Sequence, residues 1–168
     1  HKPDQRTILS PNHRLTMKRT LLMLASILLL APATLHADRN ADFIKYRKAV
    51  YSSMKGHMGA VSRILRGRLN EYTGHIIDHA EALQRMAHLL PGLFPAGTGF
   101  GETAVKTAAK PEVWKHPEDF RKAAKRLEDA SADLAETVRS GNVKAIQGKV
   151  GAIGKACKGC HQQFRRRD

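Results

Sequence analysis

Residues 142–166 read NVKAIQGKVGAIGKACKGCHQQFRR. At about 100° per residue, Val143, Ile146, Val150, Ile153, Cys157, Cys160, His161 and Phe164 fall within one arc of about 100°, the core-facing stripe of a helix. Asn142 is the expected N-cap, and the helix is predicted to run to about Arg166. Inside the stripe lies Cys157-Lys158-Gly159-Cys160-His161, which contains the only two cysteines of the chain. A C-x-x-C-H run is how a c-type haem is attached: two thiolates add across the vinyl groups, and the next residue offers an imidazole to the iron. Because these residues continue the apolar stripe, the cofactor is expected to form part of the core.

Three other readings compete. A thioredoxin-like pair sits where a strand gives way to a helix, whereas Lys144 to Ala156 reads as helix. A zinc site needs four ligands, so the thiols would have to recruit distant histidines from the nine in the chain. A disulfide across two residues within a helix would be strained and would close almost no loop.

Upstream, Met17-Lys18-Arg19 precedes the apolar run Leu21 to Leu30 and then Ala31-Pro32-Ala33-Thr34-Leu35-His36-Ala37. A basic start, a short apolar core and small residues make a secretory signal peptide. The core falls short of the about 20 residues a membrane span needs. A buried helix or membrane anchor at 21–33 is the competing reading. Cleavage is expected after Ala37, with Ala33 second, and residues 1–16 read as an upstream extension. Residues 38–168 then form one domain with a single core, exported to the periplasm.

The chain carries 29 Lys and Arg against 15 Asp and Glu, and residues 38–168 keep 24 against 14. In an exported chain without interleaved aromatic and basic residues, nucleic acid is not the expected partner. The charge is expected to steer encounters with acidic partners or anionic surfaces. Arg165-Arg166-Arg167 reads as a solvated helix end, where cations complement the dipole.

The remaining pattern is helical, with no convincing strand alternation. A first helix is predicted from about Asn40 or Asp42, either serving as N-cap, to about Arg66. Its face carries Phe43, Arg47, Val50, Tyr51, Met54, Met58, Val61 and Leu65. A second covers about Thr73 to Leu90, with Ile76, Ile77, Ala80, Leu83, Ala87 and Leu90 inward, and Pro91-Gly92 stops it. A third starts at His116-Pro117-Glu118-Asp119, where proline suits the first turn and the acids complement the dipole. Phe120, Ala124, Leu127, Ser131, Leu134 and Val138 form its stripe, and Ser140-Gly141 ends it. Residues 91–113 read as a long crossover loop; the other loops are short, which favours antiparallel neighbours. The expected fold is all-α, an antiparallel four-helix bundle with a covalent haem in one end of its core.

These features together resemble cytochrome c′, a family counted among the four-helix bundles. The likeness spans about residues 40–167. It is carried by the C-terminal Cys157-x-x-Cys160-His161, by Lys45-Tyr46-Arg47, by Pro111-Glu112-Val113-Trp114 and by Phe164-Arg165. The resemblance implies that Arg47 meets a haem propionate, that Trp114 packs near the haem, and that Arg165 lies beside the iron ligand His161. It also implies a homodimer paired through the first two helices, where Ile44 and Ile64 look like surplus apolar positions. Independently of family, a charge on an apolar stripe needs an anionic partner if buried; otherwise Arg47 snorkels from the stripe edge.

The sixth iron position decides the chemistry. A methionine thioether there makes a low-spin electron carrier, whereas an open position accepts a small gas. In bundle cytochromes the deciding residue lies one turn after the position of Arg47, and it is methionine in low-spin relatives. Here it is Tyr51. A neutral phenol, with a pKa near 10, is a poor ligand. The resemblance therefore implies a high-spin five-coordinate iron, shielded by Tyr51, that binds NO or CO and exchanges single electrons. The alternative is a six-coordinate electron-transfer protein with Met54 as ligand, Met58 being the weaker candidate. Both methionines also suit core packing, as do Phe120 and Phe164. A third class has no haem: a helical metal- or partner-binding protein. His75 and His79, at i and i+4, are its best pair but lack a third ligand. His57, His88 and His116 read as surface residues. No acid–base pair is placed to assist chemistry at an iron, so an enzyme is not expected.

Overall fold

The structure, a computed structural model, describes residues 31–167; the upstream extension and the basic start and apolar core of the signal segment lie outside the described residues. Asn40–Asp168 forms one compact unit. Four principal helices follow in order: α1 (Ala31–Leu65), α2 (Ile76–Leu89), α3 (Pro117–Arg139) and α4 (Val143–Phe164). A 3-10 turn, Asn70–His75, leads into α2 and another, Leu90–Leu93, leaves it; a single helical turn, Glu112–Lys115, precedes α3. Among the described residues no helix is long and apolar enough to cross a membrane.

Local chemistry explains most boundaries. Asn142 caps α4 as predicted, its Oδ1 accepting from the Ala145 N–H at 3.2 Å. Pro117, Glu118 and Asp119 occupy the first turn of α3, where a missing N–H costs nothing and negative charge meets the positive end of the dipole. The start of α1 differs from expectation. Ala31, Ala33, Leu35 and Ala37 are good helix formers and Pro32 is tolerated in a first turn, so the helix begins well ahead of Asn40. Freed from capping, the Asn40 side chain donates to the Gly97 carbonyl at 3.1 Å. Gly97 has φ +78 and a Cβ there would lie 2.6 Å from Asn40 Nδ2, so both conformation and space require glycine. At the other end, α4 stops at Phe164 because Arg165 is extended (φ −117, ψ 132).

All four helices feed the main core: Val50, Met54, Val61 and Ile64 from α1, Ile76, Ala80, Leu83 and Ala87 from α2, Ala124, Leu127 and Leu134 from α3, Ile146 and Ile153 from α4. Each fully buried Leu, Ile or Val contributes about 1.5–3 kcal/mol, which holds the bundle without any cross-link. A smaller core of Val113, Phe120, Ala123 and Phe164 closes the end that carries the crossover. Ile44 and Ile64, expected as surplus apolar residues at a dimer face, are 0% and 5% exposed. They are core residues, because the α1 stripe is wider than the sequence arc allowed, and neither is available to a partner.

Both short turns, between α1 and α2 and between α3 and α4, lie at one end of the bundle. The long crossover and the C-terminal motif therefore share the other end.

Candidate functional site

The two thiols sit half-buried on α4 and are free. Cys157 packs on the main core and Cys160 on the smaller one. Burial pushes the Cys157 thiol up; burial, reinforced by the charge of Cys157, pushes Cys160 up to about 11. A thioredoxin-like pair sits where a strand gives way to a helix, whereas both thiols lie well inside α4. The zinc reading fails too: among the described residues no group of three or more His, Cys, Asp or Glu is placed to hold a metal ion.

His161 departs from expectation. It is exposed, not core-facing. The buried members of the stripe, Ile146, Ile153 and Phe164, define its centre, and His161 lies roughly 60–80° away, at the stripe edge. It opens instead onto a cleft of about 650 Å³ whose lining includes Cys157, Lys158 and Arg165. Partial burial, and then the charge of Arg165, lower the pKa of His161. A neutral imidazole keeps a lone pair for a metal. Arg165 thus lies within electrostatic reach of His161.

Arg47 is 3% exposed, so it does not snorkel. Its Nη1 donates to the Leu93 carbonyl at 3.3 Å and to Thr98 Oγ1 at 3.0 Å. Nη2 donates to the Thr98 carbonyl at 2.7 Å and to Thr107 Oγ1 at 2.9 Å. The guanidinium also lies 4.4 Å from the centroid of the Phe94 ring. Every one of these partners is neutral, and no carboxylate among the described residues pairs with it. Burial lowers its pKa, opposed by Tyr51.

Tyr51 is half-buried against the main core. Its phenol is raised far above the ordinary range, chiefly by burial and then by Cys160, with Arg47 opposing and Cys157 adding. One side chain therefore lies within electrostatic reach of both thiols and of Arg47. Met54, by contrast, is 6% exposed inside the main core, and Met58 packs on the same cluster.

The sequence did not single out Phe94, yet it joins the site together. Its ring meets Tyr51 edge-on at 6.5 Å, Trp114 at 6.3 Å and Phe120 at 4.8 Å. Its carbonyl accepts from Trp114 Nε1 at 3.0 Å. Phe120 in turn meets Phe164 at 5.3 Å. Thr98 and Thr107 were also missed. All three lie in the crossover, where no periodicity exists to mark them; the one available signal was a phenylalanine between Leu93 and Pro95.

The histidines are arranged differently from expectation. His79 pairs not with His75 but with His57 on α1, Nδ1 to Nδ1 at 2.9 Å, while the His75 ring lies against Tyr72. One ring must donate and the other accept, so the contact requires at least one neutral imidazole. Burial, then His57 and His75, lower the His79 pKa, with Asp78 opposing. Below the unfolded value of about 6.5 the unfolded chain takes up the proton first, so stability is intact above that pH and declines below it. Melting temperature is expected to fall from pH 7.5 to pH 5.5, and the fall should be smaller in His79→Gln. His161 shifts in the same direction, so part of the slope should remain. Identical slopes in circular-dichroism melts would refute the assignment.

Half-buried paired thiols beside an open imidazole, near a buried cation and an aromatic cluster, at one end of a four-helix bundle, invite comparison with known proteins. The family model described as Cytochrome C′ matches residues 42–165. The chain belongs to the cytochrome c′ family. The cytochrome c′ of Rhodospirillum rubrum is 34% identical over 149 residues, covering 89% of this chain and 99% of that protein. A solved cytochrome c′ with ligand-controlled dimer dissociation superposes with a TM-score of 0.69 at 30% identity, over 76% of this chain and 97% of that one. The same fold is seen in a nitric oxide complex of a cytochrome c prime mutant from Alcaligenes xylosoxidans, at 23% identity and TM-score 0.67, over 77% and 97%.

Cytochrome c′ membership implies a c-type haem, and the residues present fit one. Two free thiols stand at attachment spacing, the next side chain is a solvent-open imidazole, and the nearby guanidinium is a buried cation lacking an anionic partner. A buried charge without a counter-charge is costly, and a propionate would supply the counter-charge.

Proposed function

We propose that this chain is a periplasmic c-type haem protein with a high-spin five-coordinate iron that takes up NO or CO and can exchange single electrons. Cys157 and Cys160 would hold the haem through thioethers, His161 would be the proximal ligand, and Arg47 would face a propionate. When bound, the haem supplies an iron able to take a neutral diatomic gas or to change oxidation state by one electron. Nitric oxide is the ligand in the Alcaligenes xylosoxidans complex, and we carry it here as the first gas to test.

The observation that supports this best is Tyr51. It occupies the α1 position within reach of both thiols, its phenol is held protonated by burial, and a protonated phenol does not ligate iron. Phe94 packs on its ring edge and limits its movement. Together they offer an apolar surface that favours an uncharged gas over an anion, since an anion would have to shed its water there. On the other side His161 faces an open cleft with Arg165 beside it. Met54 is buried within the main core, which argues against its serving as a second iron ligand. Nothing in this arrangement places an acid–base pair, so reversible binding rather than catalysis is the proposed role. A homodimer is carried over in the same way, to be read by sedimentation.

The test is spectroscopic. The ferric holoprotein should show a high-spin electron paramagnetic resonance signal at neutral pH, and carbon monoxide should shift the Soret band of the reduced form. Tyr51→Met should turn the ferric signal low-spin and abolish the shift. A low-spin signal from the unmodified protein at neutral pH would end the five-coordinate reading and point to Met54.

A further inference from the structure

From Thr137 to Arg167 the chain contains no acidic residue, yet it carries Lys144, Lys149, Lys155, Lys158 and the run Arg165-Arg166-Arg167. Lys149 is paired with Asp133. Lys158 and the three arginines line the cleft onto which His161 opens, and none of the four is in an ion pair among the described residues.

This tail is not the solvated helix end that the sequence suggested, because the chain leaves the helix at Arg165. Arg166 N–H donates to the Ala108 carbonyl at 2.8 Å and Lys110 N–H to the Phe164 carbonyl at 2.9 Å. Ala109 and Arg165 form an antiparallel bridge. The Arg166 guanidinium lies 3.5 Å above the Phe100 ring, and that ring is 49% exposed. The backbone of Arg165 and Arg166 is therefore tied to the crossover, Arg166 is held over an exposed aromatic ring, and Lys158 and Arg167 line the same cleft.

We propose that this cleft rim docks a small acidic redox protein, with Phe100 as apolar anchor and Lys158, Arg166 and Arg167 meeting its carboxylates. The proposal rests on the haem reading above, since the imidazole that would bind iron faces the same cleft. Arginine and aromatic residues concentrate the energy of protein interfaces, and a single-sign cleft raises the encounter rate with an opposite charge. A protein is favoured over a lipid surface because an exposed aromatic ring packed with arginine is the composition of protein interfaces, whereas anionic headgroups are held by basic residues alone.

The experiment titrates the holoprotein with an acidic [2Fe–2S] ferredoxin by calorimetry. The dissociation constant is expected to weaken about tenfold or more between about 20 and 200 mM salt. Lys158→Glu combined with Arg167→Glu should weaken it about tenfold at low salt. Phe100→Ala should weaken it about fivefold. Arg66→Glu, at the opposite end of the bundle, should leave it unchanged. Salt-independent binding, no binding, or an equal loss in Arg66→Glu overturns the proposal. Binding to phosphatidylglycerol vesicles without binding to ferredoxin overturns it in favour of a lipid surface. The Soret response to carbon monoxide is read on every variant: intact responses with no ferredoxin complex sink the docking alone, whereas a missing haem sinks the reading beneath it.

Discussion

Cys157→Ser combined with Cys160→Ser is expected to yield a chain whose haem is lost on denaturation, where the parent keeps it. The argument is chemical. A thioether survives unfolding, whereas an iron–imidazole bond does not, because it depends on the folded geometry of α4. Serine preserves the size and partial burial of both positions but cannot add to a vinyl group under physiological conditions. Each single serine variant should retain one bond, so both remain pigmented. His161→Ala should behave oppositely, with the haem mass retained on the denatured chain but the ferric spectrum altered, because the imidazole proposed to bind the iron is gone while both thiols remain. Mass spectrometry and the pyridine haemochrome of denatured protein separate these outcomes. If the double serine variant still carried haem through denaturation, the attachment residues would lie elsewhere.

Arg47→Ala is expected to destabilise the protein by about 2–4 kcal/mol, the range for breaking a buried polar network. That corresponds to a loss of melting temperature of roughly 10 °C for a domain of this size. Four hydrogen bonds vanish at once, and the acceptors they leave belong to the crossover: Leu93, Thr98 and Thr107. Phe94 also loses the cation over its ring. Arg47→Lys should recover only part of the loss, because one ammonium cannot span acceptors that a planar fork reaches on both of its nitrogens. A melting temperature within about 2 °C of the parent in Arg47→Ala would show that the crossover is held by something else.

The bundle was legible in the sequence because amphipathic periodicity is a long-range average. The centre of the α4 stripe (Ile146, Ile153 and Phe164), the Asn142 cap and the Pro117 start each rest on several residues or on strong local chemistry, and each appears as expected. What could not be read depends on single contacts. His161 lies at the edge of its arc, where a few tens of degrees decide between core and solvent. The role of Phe94 comes from packing among four partners distant in sequence. Arg47 was marked as a charge on an apolar face, and its burial was foreseen as one outcome. Its partners in the crossover were not, because hydrogen bonds across fifty residues leave no local trace. His79 found His57 on the neighbouring helix rather than His75 on its own, since packing of α1 on α2 overrode sequence spacing.

The bridge between Ala109 and Arg165 has a kinetic meaning. It ties together strands of chain separated by a whole helical hairpin, and Arg47 does the same with Thr98 and Thr107. Closing such wide loops consumes chain entropy before any contact repays it. The connections at the opposite pole are shorter, ten residues between α1 and α2 and three between α3 and α4. The pole that carries the motif is therefore where the fold loses most chain entropy on closure.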